Sequence, residues 1–279
     1  MFETLYRRIR SFFAFKVGIR QLLVHQETAQ LMARSKHQDP KSLVPFSAKM
    51  YSQNGEDGII QEIFQRIGTT NKIFVEFGIG NGLENNTLAL LFSDWKGLWI
   101  EGSSKSVKNI HKHFASLIST KQLQISHSFI TKENIDDIIS NHIKESEIDL
   151  LSIDIDGNDY HVLNAIQSIS PRVIVLEYNP KFLPPVEYCM EYDVNHMWDY
   201  SDQFGASLKS FEKLLSKKGY SLVGCDLVGS NAFFVQNELK EDHFISDCSA
   251  EFHYEPARYH LIESCSGHPA SYKTLVKRV

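Results

Sequence analysis

KIFVEFGIGNG, residues 72–82, runs an apolar strand straight into three glycines spaced two apart, with a carboxylate just ahead of them. Val75 and Phe77 carry the strand, Glu76 is the acid, and Gly78, Gly80 and Gly82 form the turn. Glycine is needed where backbone turns at positive φ, or passes a ligand so closely that a β-carbon would collide. The turn empties into ENNTLALLFSDW, whose pattern predicts a helix over 84–94 with its first amides pointing back over the glycines.

Two features choose between ligands. A dinucleotide fingerprint sets its third glycine three residues after the second, so that a pyrophosphate rests on the helix N-terminus. Here the third glycine comes after two residues and a carboxylate precedes the first, which repels phosphate and suits a cationic amino-acid group. The next strand, GLWIEG at 97–102, ends in Glu101, about twenty residues on, where an acid takes the hydroxyls of an unphosphorylated ribose. The pair reads as a pocket for S-adenosylmethionine (SAM), with Glu76 on its amine and Glu101 on its ribose. Asn86 and Thr87 follow the glycines, where a side chain either reaches the methionine moiety or is plain helix surface.

Around this turn, short β-rich runs alternate with helical ones. Strands are expected at 72–78, 97–101, 122–126, 148–154 and 172–177, and helices at 56–67, 84–94, 104–118, 133–144, 158–168 and 206–218. Mostly apolar runs such as IDLLSID and RVIVLEY are what strands covered on both faces look like. Such alternation implies parallel strands joined by right-handed crossovers in an α/β domain. YSLVGCD and NAFFVQ, separated by VGS, are too close for a crossover and read as an antiparallel hairpin.

YSQNGEDGIIQEIF (51–64), FVEFGIGNGLENNT (74–87), GLWIEGS (97–103), DLLSIDIDGNDYHVL (149–163), VIVLEYNP (173–180) and NAFFV (231–235) together resemble an FkbM-type SAM-dependent methyltransferase. The resemblance spans about residues 50 to 236. It implies a Rossmann-like class I methyltransferase fold: a mostly parallel seven-stranded sheet with a C-terminal antiparallel hairpin, flanked by helices. It also implies O-methylation of hydroxyls on sugars, polysaccharides or polyketide-like natural products. Gln53 and Asp57 in its first block either reach the cofactor or, with Glu56, cap the helix 56–67. Class members often place an acid near the end of the third strand for the adenine amine, whereas LQISHSFIT offers Ser126 and Ser128. The domain is bounded at 46–236, between an N-terminal helical extension, 1–45, and a C-terminal one, 237–279.

A second group of acids stands at the ends of the fourth and fifth strands, Asp154, Asp156, Glu177 and Asn179 among them. Ligands of open α/β sheets lie outside these strand ends. Three readings stand side by side. Asp154, Asp156, Glu177 and Asn179 hold Mg²⁺ or another divalent cation; Asp154 or Asp156 acts as general base with His161 orienting it, or the reverse; or Asp156-Gly157-Asn158 merely caps the following helix. The long segment 178–205 carries Tyr178, Phe182, Tyr188, Tyr192, Trp198 and Tyr200. Aromatics at this density favour a wall or lid, with Tyr178, His196 and Trp198 touching a sugar-like acceptor, or a hydrophobic dimer surface. His111 and His113, beside Lys108 and Lys112, are expected on solvated surface.

The 279 residues suffice for one large core with an appendage. A formal charge of −5 provides no overall field for nucleic acid. Cys189, Cys225, Cys248 and Cys265 lack CxxC spacing and read as reduced packing thiols of a cytoplasmic protein. In the first 24 residues, Arg7, Arg8, Arg10, Lys16 and Arg20 alternate with Phe2, Leu5, Ile9, Phe12, Phe13 and Phe15, with Glu3 as the one counter-charge. That pattern is too interrupted for a signal peptide or a membrane span. It describes a helix that lies peripherally on the inner face of a membrane, or packs on its own domain or on a second subunit as a homo-oligomer. Two other functions fit the same architecture: an NAD-dependent oxidoreductase of a nucleotide sugar, which the glycine spacing and Glu76 oppose, and a non-catalytic adaptor that the N-terminal helix recruits to a membrane for glycan assembly.

Overall fold

The computed structural model describes residues 2–262 and 271–272; Cys265 lies outside them. Seven strands form one sheet in the order β3-β2-β1-β4-β5-β7-β6. They are β1 (Ile73–Phe77), β2 (Lys96–Glu101), β3 (Leu123–His127), β4 (Glu147–Ile153), β5 (Ser170–Glu177), β6 (Tyr220–Cys225) and β7 (Asn231–Gln236). The first five run parallel, and β7 lies antiparallel to both β5 and β6. This is the Rossmann-like class I methyltransferase architecture that the sequence implies, with its terminal hairpin.

Ten α-helices accompany the strands among the described residues: α1 (Phe2–Met32), α2 (Ser35–Gln38), α3 (Glu56–Ile67), α4 (Ser104–His113), α5 (Ala115–Ser119), α6 (Ile135–His142), α7 (Asp159–Ala165), α8 (Leu208–Lys217), α9 (Asn237–Lys240) and α10 (Ala250–His253). None is long and apolar enough to cross a membrane. The strands alternate their side chains between two apolar layers, as their period of two requires. Val75, Phe77, Leu98 and Ile153 face Ile135 and Ile139 of α6, Val162 of α7 and Phe211 of α8. Phe74, Trp99, Leu150 and Phe233 face Ile59, Ile60 and Ile63 of α3 and Ile110 of α4. Each large side chain so buried contributes about 1.5–3 kcal/mol, which holds the strand ends in register for a site.

Two expected helices differ. Over 84–94 there is only a 3₁₀ segment, Ala89–Ser93. The amides of Asn86 and Thr87 donate to the Glu76 carboxylate instead of facing a ligand. The expected helix 104–118 divides into α4 and α5 at Phe114, which is buried against Trp99.

The terminal segments are packed on the domain and on each other. Val24 and Leu31 of α1 share a small core with Val44, Leu227, Val228 and Leu261. Beneath it Glu255 is buried, paired with Lys36, with His37 at 3.2 Å and with Arg258 at 2.7 Å. Burial opposes its ionisation, but hydrogen bonds from His37, Lys36 and Arg258 hold the carboxyl down at about 2. The stretch from Gln38 to Pro45, leading from α2 into the domain, is anchored by buried Leu43 and Val44.

Candidate active site

β1 lies between β2 and β4, so the crossovers on its two sides leave in opposite directions and a crevice opens at its carboxyl end. The turn that follows has positive φ at Gly78 (76°), Gly80 (53°) and Gly82 (76°). A β-carbon on Gly78 would collide with the carbonyl oxygen of Asp154 at the end of β4. One on Gly80 would meet nothing within 4 Å, because that residue borders open space. Gly82 faces inward, against Trp99 and Phe114.

Glu101 closes the turn from the end of β2. One of its oxygens accepts from the Gly80 amide at 2.9 Å and the other from the Ser103 amide at 2.7 Å. Glu76 does not stand beside it in the crevice, as expected, but is buried at 3% exposure. Its carboxylate accepts from the Asn86 amide (2.8 Å), the Thr87 amide (3.2 Å), the Thr87 hydroxyl (2.5 Å) and the Ser152 hydroxyl (3.2 Å). Burial pushes its carboxyl up to about 7 against the pull of those donors. Asn86 and Thr87 are buried with it; the Thr87 hydroxyl also accepts from the Trp99 indole at 2.7 Å. Glu76, Gly82, Asn86 and Thr87 therefore frame the turn from behind.

Two cavities open over the strand ends. The first, of about 510 Å³, is lined by Gly78, Gly80, Glu101, Ser128, Phe129 and His196, among others. The second, of about 710 Å³, takes in Gln53, Glu177, Asn179, Lys181, Tyr259 and Ile262. Gly78, Asp154, Asp156, Trp198 and Tyr200 line both, so the two spaces meet over the carboxylates.

One oxygen from each of Asp154, Asp156 and Glu177 lies within 4.8 Å of the other two. Burial first, then the charges of Asp156 and Asp159, hold the Asp154 carboxyl well above the usual carboxylate range. Glu177 is raised likewise by burial and by Asp154, and Asp156 by burial, with His196 pulling it back. Asp156 sits at φ 53°, and the loop is tied by Asp159, which accepts from the amides of Ile155 and Gly157. Asn158 makes no side-chain cap; it bonds Asp193 of the long segment instead. The expected cap of Asp156-Gly157-Asn158 on the following helix is not made: no side chain caps its first amides, and Asp159 ties the preceding loop instead.

Three expected site residues are placed elsewhere. Asn179 lines the second cavity, yet its amide donates to the carbonyls of Asp202 and Phe204, and its oxygen accepts from the Lys181 amide. It braces the loop and is not part of the carboxylate group. The His161 Nε2 lies 2.8 Å from the Met190 carbonyl and 3.6 Å from the Cys189 sulfur, and the ring lines neither cavity. Tyr178 is fully buried and donates to the Glu255 carbonyl at 2.6 Å, so it presents no surface to an acceptor.

The remaining expectations divide. His196 lies against the Asp156 carbonyl at 3.1 Å. Trp198 donates to the Ser201 carbonyl and lies 4.8 Å from the Tyr200 ring. Gln53 reaches the second cavity, while Asp57 accepts from the amides of Met50, Tyr51 and Ser52 and fixes the turn that carries it. His113 is stacked on Tyr272 at 3.7 Å, and Tyr272 donates to the Asn81 carbonyl beside the glycines, so it is not plain solvated surface. Sequence reading missed Phe129, half-exposed beyond the end of β3, although an aromatic just past a strand end was a usable signal. Tyr259 and Ile262 had none, since only the return of the C-terminal segment brings them to the second cavity.

The first cavity fits SAM in size, within the usual range of about 300–1,000 Å³ for small-molecule sites. It offers a carboxylate at Glu101, bare backbone at Gly80 and an aromatic face at Phe129. Among its described lining residues there is no lysine or arginine to offset a diphosphate. A sequence profile described as the methyltransferase FkbM domain matches residues 60–221, more than half of the chain. The chain belongs to the FkbM methyltransferase family. It is a SAM-dependent methyltransferase. No curated protein sequence matches this FkbM chain. Solved structures similar to it include the N-terminal domain of EvdMO1 with SAH bound (13% identity, 64% of this chain and 79% of that one, TM-score 0.40). Another is a SAM-dependent methyltransferase from Clostridium acetobutylicum (12% identity, 76% and 98%, TM-score 0.40). A third is the glycopeptide N-methyltransferase MtfA complexed with S-adenosyl-L-homocysteine (11% identity, 68% and 90%, TM-score 0.40).

Proposed function

We propose that this FkbM methyltransferase acts on a hydroxyl oxygen of a sugar, polysaccharide or related natural product, which enters the second cavity while SAM fills the first. SAM supplies a methyl group on a sulfonium, already a strong electrophile. What the protein must add is alignment of the acceptor oxygen, removal of its proton and exclusion of water. Alignment is worth about 7–11 kcal/mol, and a placed base about 10²–10⁴-fold.

The observation that carries this reading is the meeting of two cavities over one carboxylate floor. Asp154 borders both spaces and is the group that receives the hydroxyl proton; its raised affinity for a proton makes it a stronger base than an ordinary carboxylate. Trp198 and Tyr200 offer flat apolar faces of the kind that stack on sugar rings, and Gln53, Lys181 and Tyr259 supply polar groups for hydroxyls.

A second reading is favoured by the approach of three carboxylate oxygens within 4.8 Å. Asp154, Asp156 and Glu177 would hold Mg²⁺ or another divalent cation, whose oxygen ligands lie about 2.0–2.6 Å away. Such an ion makes a bound hydroxyl easier to ionise.

The test is transfer of tritiated methyl from labelled SAM to glycan fractions of the source cell, with and without chelator. Label appearing only in amines or proteins would remove the hydroxyl assignment, and a rate indifferent to chelator would remove the cation.

A further inference from the structure

We propose that α1 docks the protein on an anionic lipid surface. The helix has two sides of different character. Val24 and Leu31 turn toward the domain and pack with Val44, Leu227 and Leu261. Phe15, Ile19, Leu22 and Leu23, spaced by four, three and one, fall on a single stripe and are 42–66% exposed. Phe12, with the Lys16 ammonium 4.6 Å over its ring, continues that stripe toward the N-terminus.

The charge chooses the occupant. Residues 1–26 hold five arginines and lysines against Glu3 alone, in a chain whose net charge is −5. A helix with an apolar stripe, basic flanks and few acids lies in the interface of anionic lipids, stripe down, with its basic groups among the headgroups. A second copy of the helix is the poorer partner. Pairing would bring together two helices of the same positive sign, and the exposed apolar stripe among the described side chains, Phe12 to Leu23, is shorter than the three to four heptads a coiled coil needs.

Docking has a consequence for the second cavity. The Arg20 guanidinium donates to the Ile262 carbonyl at 3.4 Å and Glu27 pairs with His260 at 2.9 Å. Tyr259 and Ile262, flanking that His260, line the cavity. The root of the helix is therefore joined to the acceptor wall, and a docked α1 sets that cavity beside the lipid. The docking itself does not depend on which reaction the cavity serves.

The experiment is co-sedimentation of the full-length protein with vesicles of phosphatidylcholine alone or mixed with phosphatidylglycerol. We expect sedimentation with the mixed vesicles only, released by salt. Phe15→Glu with Leu22→Glu should weaken it roughly tenfold or more, with the thermal midpoint unchanged because neither residue joins the core. Equal binding to neutral vesicles, undiminished binding of the double variant, or a homodimer that the double variant splits and that ignores vesicles would each overturn the proposal.

Discussion

Gly78, opening the turn after the first strand, lies so close to the main-chain carbonyl of Asp154 that no β-carbon fits between them. The contact joins the turn that borders the first cavity to the acid that borders both cavities. Gly78 also stands at φ 76°. Gly78→Ala should therefore lower unfolding free energy by more than about 1 kcal/mol and abolish S-adenosylhomocysteine binding. Gly80→Ala, facing open space, should lose affinity while costing only the strain of left-handed backbone, about 1–2 kcal/mol, without the collision that Gly78→Ala adds. Urea unfolding beside calorimetric titration separates the two.

Glu101→Gln should weaken S-adenosylhomocysteine binding about ten- to a hundredfold. Hydrogen bonds to a charged group are worth about 1.5–3 kcal/mol, and each 1.4 kcal/mol is tenfold in affinity. Unchanged affinity by calorimetry would remove Glu101 from the ribose.

The Glu76 carboxyl, at about 7 in the folded protein against 4.5 when free, gives stability a definite pH dependence. Between those values the folded state keeps a proton that the unfolded chain has released. Its contribution is thus complete below pH 4.5 and is lost as the pH rises through 7, by up to about 3 kcal/mol. Denaturant midpoints across that range should fall more steeply for the wild type than for Glu76→Gln. Asp226, also raised to about 7 by burial, is present in both proteins and cancels from the difference.

The carboxylate floor yields a rate profile. Methyl transfer should rise with pH above the ordinary carboxylate range, as Asp154 loses its proton. Added Mg²⁺ should move that rise to lower pH and raise the thermal midpoint. Asp154→Asn should cost about 10²–10⁴-fold in rate, and both it and Glu177→Gln should abolish the cation response. A wild-type profile that Mg²⁺ leaves in place would leave Asp154 as a base without an ion.

Tyr178→Phe removes a buried hydrogen bond to the Glu255 carbonyl. It should cost about 1–2 kcal/mol of stability and leave the acceptor KM as it was. Trp198→Ala should do the reverse, raising KM several-fold with little change in melting. Steady-state kinetics and thermal scans on the same two variants check both.

The match between reading and structure follows the range of the interactions involved. All seven strands and the helix Glu56–Ile67 were legible because burial on two faces, or on one helical face, writes its period into neighbouring residues. Gly78, Gly80 and Glu101 were legible because a turn at a strand end constrains residue type locally. Tyr178 and His161 were misread because aromatics and histidines look alike in sequence whether they face a cavity or a neighbouring carbonyl. The expected helix at 84–94 failed for a related reason: local propensity favours it, but a buried carboxylate ten residues upstream takes its first amides.

By itself the order of residues determined the parallel sheet, the hairpin that ends it, the glycine turn and the family. These depend on side-chain period and backbone strain, which neighbours in the chain set. Only the tertiary structure decided that Glu76 supports the turn from within while Glu101 lines the first cavity. It alone brought Asp154, Asp156 and Glu177 to one floor and turned the C-terminal segment into a cavity wall. Those facts depend on which way a side chain points and on contacts between residues far apart in the chain, which packing of the whole sheet settles.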